Sequence, residues 1–435
     1  MNWLALISLK GEVNYMEHVI IGNSAAGVAA AETIRRLDPA VNITMISAEA
    51  DPVYSRCLLP NLLAGSRGLD GLLFRSKDFF RQNKITPILG VKADRVEPSS
   101  KTVFLADGRK IPYDKLLIAT GASTAMPPIP GMDGPGVFGL RTLADAQGIL
   151  ARIPAARRAV VVGAGLVGLE TAYALYSRGL EVTVVERMPQ ILPNQFDPTA
   201  AFILLREMQA EGIRFVLGRG IKEVAGPPLW QRLFGKSGMG VILEDGDRLK
   251  AELVVVATGA RCNVDLVRGT GIRVNRGIKV DSYMATNYPG IFAAGDVAET
   301  VDLVTGQEGL SPIWPNAVSQ GKIAGFNMAG VRRKYSPLIG QQNAVEFRAL
   351  PAIAVGLTNP KGERYEVLVN HCPVSNHYKK LVLDKDRLVG MVLVGDISKA
   401  GLYAGLIKKR ANVQPIKDCL LDQGFSYAHF LRHSA

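Results

Sequence analysis

Cysteine is scarce in this chain. Only four of 435 residues are Cys, at positions 57, 262, 372 and 419. No two are close enough for a CxxC pair, which excludes a locally paired dithiol, a cysteine-ligated metal and an Fe–S motif. Sparse cysteine suits a reducing cytoplasm rather than a disulfide framework. Histidine is also rare, with five residues. His371, Cys372 and His377 lie near one another in sequence but lack a fourth ligand, so no metal is expected and surface or interface packing is the simpler role. No uninterrupted apolar run reaches about 18 residues, so no membrane-spanning helix is expected. No dense Lys/Arg tract points to nucleic acid. Acidic residues are the minority charge: 39 Asp and Glu against 51 Lys and Arg leave +12. That excess is either a plain solvated surface or an attraction for an acidic partner or anionic substrate.

Glycine, by contrast, is abundant at 45 residues. It falls in short clusters between apolar runs, as strand-to-helix turns require. At roughly 100–200 residues per domain, the length allows several domains. Residues 1–15 do not read as domain. Their apolar part has no basic residue before it and no small-residue cleavage site after it, so a secretory signal is not expected. Met16 directly precedes a strand. It is the expected start, with 1–15 a loose or mis-assigned extension.

An internal repeat organises the first 300 residues. Copy one has a strand at 18–21, the turn Gly22-Asn-Ser-Ala-Ala-Gly27, a helix to about 37 and a strand at 42–47. A hairpin around Asp107-Gly108 follows, and the copy closes at Ala119-Thr120-Gly121. Copy two has a strand at 159–162, Gly163-Ala-Gly-Leu-Val-Gly168, a helix to about 178 and a strand at 181–186. It then has a turn at Asp245-Gly246 and closes at Ala257-Thr258-Gly259. From Gly22 to Thr120 is 98 residues, and from Gly163 to Thr258 is 95. Each copy predicts a parallel sheet with a nucleotide at its carboxyl edge. The glycines permit a tight turn, and a pyrophosphate can sit on free N–H groups at the helix N-terminus. A lone glycine turn is often no more than a turn, but two in matching contexts are specific.

The second site is the more regular, with Gly163, Gly165 and Gly168 all present. Glu186 ends the next strand, where a carboxylate can accept both ribose hydroxyls and would repel a 2′-phosphate. NADH is therefore favoured over NADPH, although Arg187 beside it weakens the inference. Glu170, on the helix's first turns, faces the same pocket or is an ordinary solvent-exposed charge. The first site departs from the pattern. Ser24 stands at the second glycine position beside Gly22 and Gly27, and Ser47 stands where the ribose acid is expected. Glu49 is the substitute candidate. Further along, a buried strand runs into Gly295-Asp296, and a helix opening near Pro315 carries Ala317. From about 336, strands near 352–357, 365–369, 378–383 and 388–394 and a helix at 401–409 suggest a small α+β module.

Together these motifs resemble the pyridine nucleotide–disulfide oxidoreductase superfamily over essentially all of 16–435. The resemblance implies an α/β fold with two Rossmann-like nucleotide-binding domains and a small C-terminal α+β interface domain. The expected FAD-binding domain spans 16–123 and 255–335, split by an NAD-binding domain at 124–254. The interface domain is 336–435 and is expected to make a homodimer. It implies FAD and NADH as cofactors, with Gly22, Ser24, Gly27, Glu49, Arg56, Thr120, Gly121, Gly295, Asp296 and Ala317 around the flavin nucleotide. Gly163, Gly165, Gly168, Glu170, Glu186 and Gly259 would surround NADH, with Glu170 by the nicotinamide. Tyr403 is placed near a partner subunit's flavin.

The stretch Tyr54-Ser-Arg-Cys-Leu-Leu-Pro60 divides the expectation. It resembles single-cysteine enzymes such as coenzyme A–disulfide reductase, NADH oxidase and NADH peroxidase. There Cys57 would be catalytic, and Arg56 or a helix N-terminus would have to depress its thiol pKa. With Trp314-Pro-Asn-Ala317 and 387–396, it also resembles rubredoxin or ferredoxin reductases and the flavoprotein part of NADH-dependent nitrite reductase. There electrons leave for a separate, acidic redox protein, and Cys57 is packing. The family's CxxxxC dithiol is absent. Cys262 is expected to be packing. A nucleotide-binding regulator without turnover is disfavoured by two complete sites.

Overall fold

The computed structural model describes residues 16–226, 238–426 and 428–429. The expected N-terminal extension lies outside the described residues.

Two parallel sheets dominate. In the first, the strand order is Ile291–Ala293, Lys115–Ile118, Glu17–Ile21, Asn42–Ser47, Ile85–Leu89. Its central strands are buried on both faces, as their unbroken apolar runs demand. Helices Ala25–Leu37 and Trp314–Met328 cover one face, locked by small residues. A Cβ on Gly321 would lie 2.1 Å from the Ala26 carbonyl oxygen. The edge strand Ile291–Ala293 arrives only after the whole second unit, so the first sheet is split in sequence.

The second sheet runs Arg214–Leu217, Glu181–Glu186, Arg158–Val162, Leu253–Val256, Val137–Phe138, again parallel. Each unit carries its own three-stranded antiparallel sheet, so the sequence repeat is a structural repeat. The two chain crossings between the units, Ala122–Thr124 and Ala260–Cys262, pair antiparallel. The sequence division at 254/255 falls inside Leu253–Val256, which belongs wholly to the second sheet.

The C-terminal module is an antiparallel sheet of Gln342–Phe347, Leu350–Gly356, Arg387–Val394, His377–Asp384 and Tyr365–Cys372, with helix Ala400–Lys409 on one face. Its opposite face packs on the second unit through Phe347, Tyr378, Val392 and Val394. Tyr403 is fully buried, donates to the Leu420 carbonyl at 2.6 Å and stacks on Phe425. It is a core residue of its own module. Among the described residues no cluster could hold a metal, and no helix is long and apolar enough to cross a membrane.

Candidate functional site: a dinucleotide cavity and its neighbour

The first glycine turn is built by close approach. Gly22 has φ of +119°, and a Cβ there would meet the Ala119 carbonyl oxygen at 2.1 Å. A Cβ on Gly27 would meet the Gly22 carbonyl at 1.9 Å. The second fingerprint explains why Ser24 is tolerated: its counterpart Gly165 has open space where a Cβ would go. Ser24 caps helix Ala25–Leu37 without using its side chain, and no acid lies in the first turn. The helix therefore presents free N–H groups and its positive end, suited to a phosphate.

Those groups open on a cavity of about 600 Å³. Gly22, Ser24, Glu49, Arg56 and Cys57 line one side, and Thr120, Gly121, Gly295, Asp296 and Ala317 the other. Sequence positions up to 295 apart thus converge at the carboxyl ends of one sheet. Trp314, at the start of the helix that carries Ala317, also lines the wall.

A charge network frames the cavity. Arg56 pairs with Glu49, and the Tyr54 hydroxyl donates to the other Glu49 oxygen. Arg56 also donates to the Arg141 carbonyl at 2.7 Å, and the Leu143 N–H donates to the Tyr54 oxygen at 2.9 Å. Arg141 in turn pairs with Asp296 and donates to the Ala122 carbonyl at 3.1 Å. Sequence reasoning missed Arg141. It belongs to no motif, and its only local signal is the capping box of Thr142 and Asp145 that follows it.

Cys57 is exposed in the wall of this cavity. Burial pushes its pKa up, the nearby Glu170 charge pushes it further, and Arg141 and the Ser55 hydroxyl only oppose this. Arg56, one of the two sources of a lowered thiol pKa that the single-cysteine reading would need, is turned instead to Glu49, Tyr54 and the Arg141 carbonyl. Cys262 is buried, as expected for packing, but it also lines the cavity and donates to the Asp296 carbonyl at 3.1 Å. Cys372 is exposed at a hairpin end.

The second turn repeats the geometry. Gly163 has φ of +104° and Gly259 of +118°, and a Cβ on Gly168 would meet the Gly163 carbonyl at 2.0 Å. The Glu186 carboxylate accepts from the Ala164 N–H at 2.7 Å and the Met188 N–H at 2.8 Å, which fixes it across the turn's mouth. Glu170, on helix Leu166–Ser177, is half-buried, and burial raises its carboxyl to about 7. Helix Leu59–Ala64, directly after Cys57, packs on that same helix, and Arg178 donates to the Leu63 carbonyl at 2.6 Å.

The donor set fits an extended dinucleotide in the cavity. Unused helix N–H groups suit its pyrophosphate, carboxylates at strand ends suit its hydroxyls, and the apolar wall of Ala317 and Trp314 suits a ring.

Comparison with known proteins agrees. Residues 350–411 match the C-terminal domain of rubredoxin NAD+ reductase. An NADH oxidase from Methanocaldococcus jannaschii is 35% identical over 74% of this chain and 72% of its own length. The epsilon subunit of NADH-dependent phenylglyoxylate dehydrogenase from Aromatoleum evansii is 33% identical over 93% of this chain and 94% of its own. Two Bacillus subtilis relatives, a nitrate reductase electron transfer subunit and a nitrite reductase, are matched over only 49% and 47% of their length. A solved NAD-dependent persulfide reductase from A. fulgidus superposes with a TM-score of 0.84 at 28% identity, over 94% of this chain and 80% of that one. With residues 16–321 matching its defining model, the chain belongs to the pyridine nucleotide-disulphide oxidoreductase family and is an FAD-dependent NAD(P)H oxidoreductase.

Proposed function

We propose that this protein takes electrons from NADH and delivers them to a separate, acidic one-electron carrier of the rubredoxin or ferredoxin kind. The match of the C-terminal module to the rubredoxin NAD+ reductase C-terminal domain carries this choice. The Cys57 thiol supports it, since burial works against the thiolate that a thiol mechanism needs. The net charge of +12 favours encounter with an acidic carrier. A homodimer in a reducing cytoplasm belongs to the same proposal.

Bound flavin would supply the conversion of a two-electron hydride into single electrons. The chain supplies the rest. Gly22, Ser24 and Gly27 shape the phosphate turn, and Asp296, Gly295, Thr120 and Gly121 close the cavity around the flavin nucleotide. Arg56 and Arg141 hold the carboxylates Glu49 and Asp296 in place. Gly163, Gly165, Gly168 and Gly259 form the NADH turn, and Glu186 disfavours a 2′-phosphate.

A second reading has one observation in its favour: Cys57 stands in the cavity wall. In that reading the protein is a coenzyme A–disulfide, polysulfide or peroxide reductase. The test is Cys57→Ser, assayed for NADH-driven reduction of ferricyanide, rubredoxin and coenzyme A disulfide or polysulfide. We expect rubredoxin and ferricyanide rates to persist and disulfide turnover to be negligible in parent and variant alike. Efficient disulfide turnover by the parent that collapses in the variant would establish the thiol enzyme instead.

A further inference from the structure

The second turn is held from an unexpected side. The Ala164 peptide sits inside it. Its N–H is taken by Glu186, and its carbonyl accepts from the Leu192 N–H at 2.8 Å. Leu192 is fully buried and has φ of +49°, in the left-handed region. A bulky residue stays there only where its surroundings over-determine it.

The C-terminal module supplies those surroundings. Gln341 donates to the Asn194 carbonyl at 3.0 Å, and Asn359 donates to the Phe196 carbonyl at 3.2 Å. Asp197 closes the segment. It is 4% exposed, caps helix Pro198–Glu211 through the Thr199 and Ala200 N–H groups, and takes Lys380 at 3.3 Å and the Tyr378 hydroxyl at 3.1 Å. Lys380 and Tyr378 come from strand His377–Asp384 of the module and are themselves buried.

A buried ion pair adds little net stability over an apolar replacement of similar size, because desolvation offsets its attraction. This pair is better understood by what it positions. We propose that Asp197, gripped by Lys380 and Tyr378, is a positioning residue through which the C-terminal module sets the shape of the NADH turn. The module thereby tunes NADH affinity without touching the nucleotide. This rests on the assignment of the second turn to NADH.

The experiment uses the FAD-loaded full chain. Lys380→Met and Asp197→Asn are compared with parent for NADH dissociation constant, flavin content, KM and kcat with ferricyanide, and thermal midpoint. Disturbing a coupled element of this kind shifts affinity roughly threefold to thirtyfold. We expect NADH binding to weaken by that factor and KM to rise with it. Flavin content and kcat at saturating NADH should hold, and Lys380→Arg should restore most of the affinity. A variant that loses thermal stability but binds NADH as parent does overturns the proposal. Should Lys380→Met fail to fold, Gln341→Ala with Asn359→Ala removes the other tethers, and unchanged NADH affinity there overturns it equally. Glu186→Ala separates the two levels. If it weakens NADH while the module variants do not, only the positioning role falls. If neither does, the turn is not the NADH site.

Discussion

Glu170 offers the most direct test of the electrostatics between the two nucleotide sites. Burial alone raises its carboxyl from 4.5 to about 7. At about 1.4 kcal/mol per tenfold in proton affinity, that difference corresponds to about 3 kcal/mol. Partial exposure of the side chain trims it to about 2 kcal/mol. The sign follows from linkage. The folded carboxyl holds its proton more tightly than the unfolded one, so stability falls as pH rises from 4.5 to about 7, and the full penalty applies above that. Glu170→Gln removes the ionisation and keeps the shape. The variant should therefore exceed parent by about 2 kcal/mol at pH 8, falling to about 0.8 kcal/mol at pH 5.

Urea midpoints of the FAD-loaded protein, without NADH, read this directly at the two pH values. The comparison is of midpoints, because a chain of several domains need not unfold in one step. An offset of the same size at both pH values would show that the gain comes from packing or propensity and would refute the buried carboxyl. A second readout concerns the ligand. The family resemblance places this carboxyl by the nicotinamide, so parent affinity for NAD+, whose nicotinamide ring is cationic, should strengthen as pH passes 7. That of Glu170→Gln should stay flat.

Two further outcomes are expected besides the Cys57 and Lys380 tests. His18 is 1% exposed with both ring nitrogens unpartnered, and burial, helped by Lys115, lowers its pKa from 6.5 to about 4. Stability present above pH 6.5 is thus lost as pH falls toward 4, by about 3 kcal/mol, and His18→Leu should flatten that share of the urea-midpoint slope; parallel slopes would refute it. Gly321→Val drives a Cβ into the Ala26 carbonyl, so it should cost about 1–3 kcal/mol or more and shed flavin, seen in the ratio of visible to ultraviolet absorbance. Gly405→Ala, with open space around the added Cβ, should do neither.

What the sequence made legible was what the backbone demands locally. Gly22 and Gly163 need positive φ, Gly27 and Gly168 need close approach, and the Thr-Gly and Gly-Asp pairs end buried strands. Each leaves a mark within a few residues. What stayed hidden depends on contacts across the chain. Arg141 reaches Asp296 over 155 positions, and Cys262 reaches the Asp296 carbonyl only because two crossing strands pair. Strand Gln342–Phe347 was missed because its alternate residues face solvent at a sheet edge. Arg56 shows the same limit. Adjacent in sequence to Cys57, it spends its charge on Glu49 instead, and nothing in the local pattern encodes that choice.

The segment around Cys57 is best understood as a joint. Tyr54 and Arg56 grip Glu49 on the first sheet and the backbone of Arg141 and Leu143, where the chain enters the second unit. Helix Leu59–Ala64 packs on the helix that carries Glu170. The Tyr54 hydroxyl and the Arg56 guanidinium are thus engaged in joining the two units, and of the segment's polar groups only the Ser55 hydroxyl favours a Cys57 thiolate. Glu170 raises the thiol pKa further, because ionising Cys57 beside a carboxylate would place two like charges near one another. On the function proposed above, the part this segment plays is to join the two nucleotide sites. Under that proposal a partner surface, rather than Cys57, sets the specificity of the reaction.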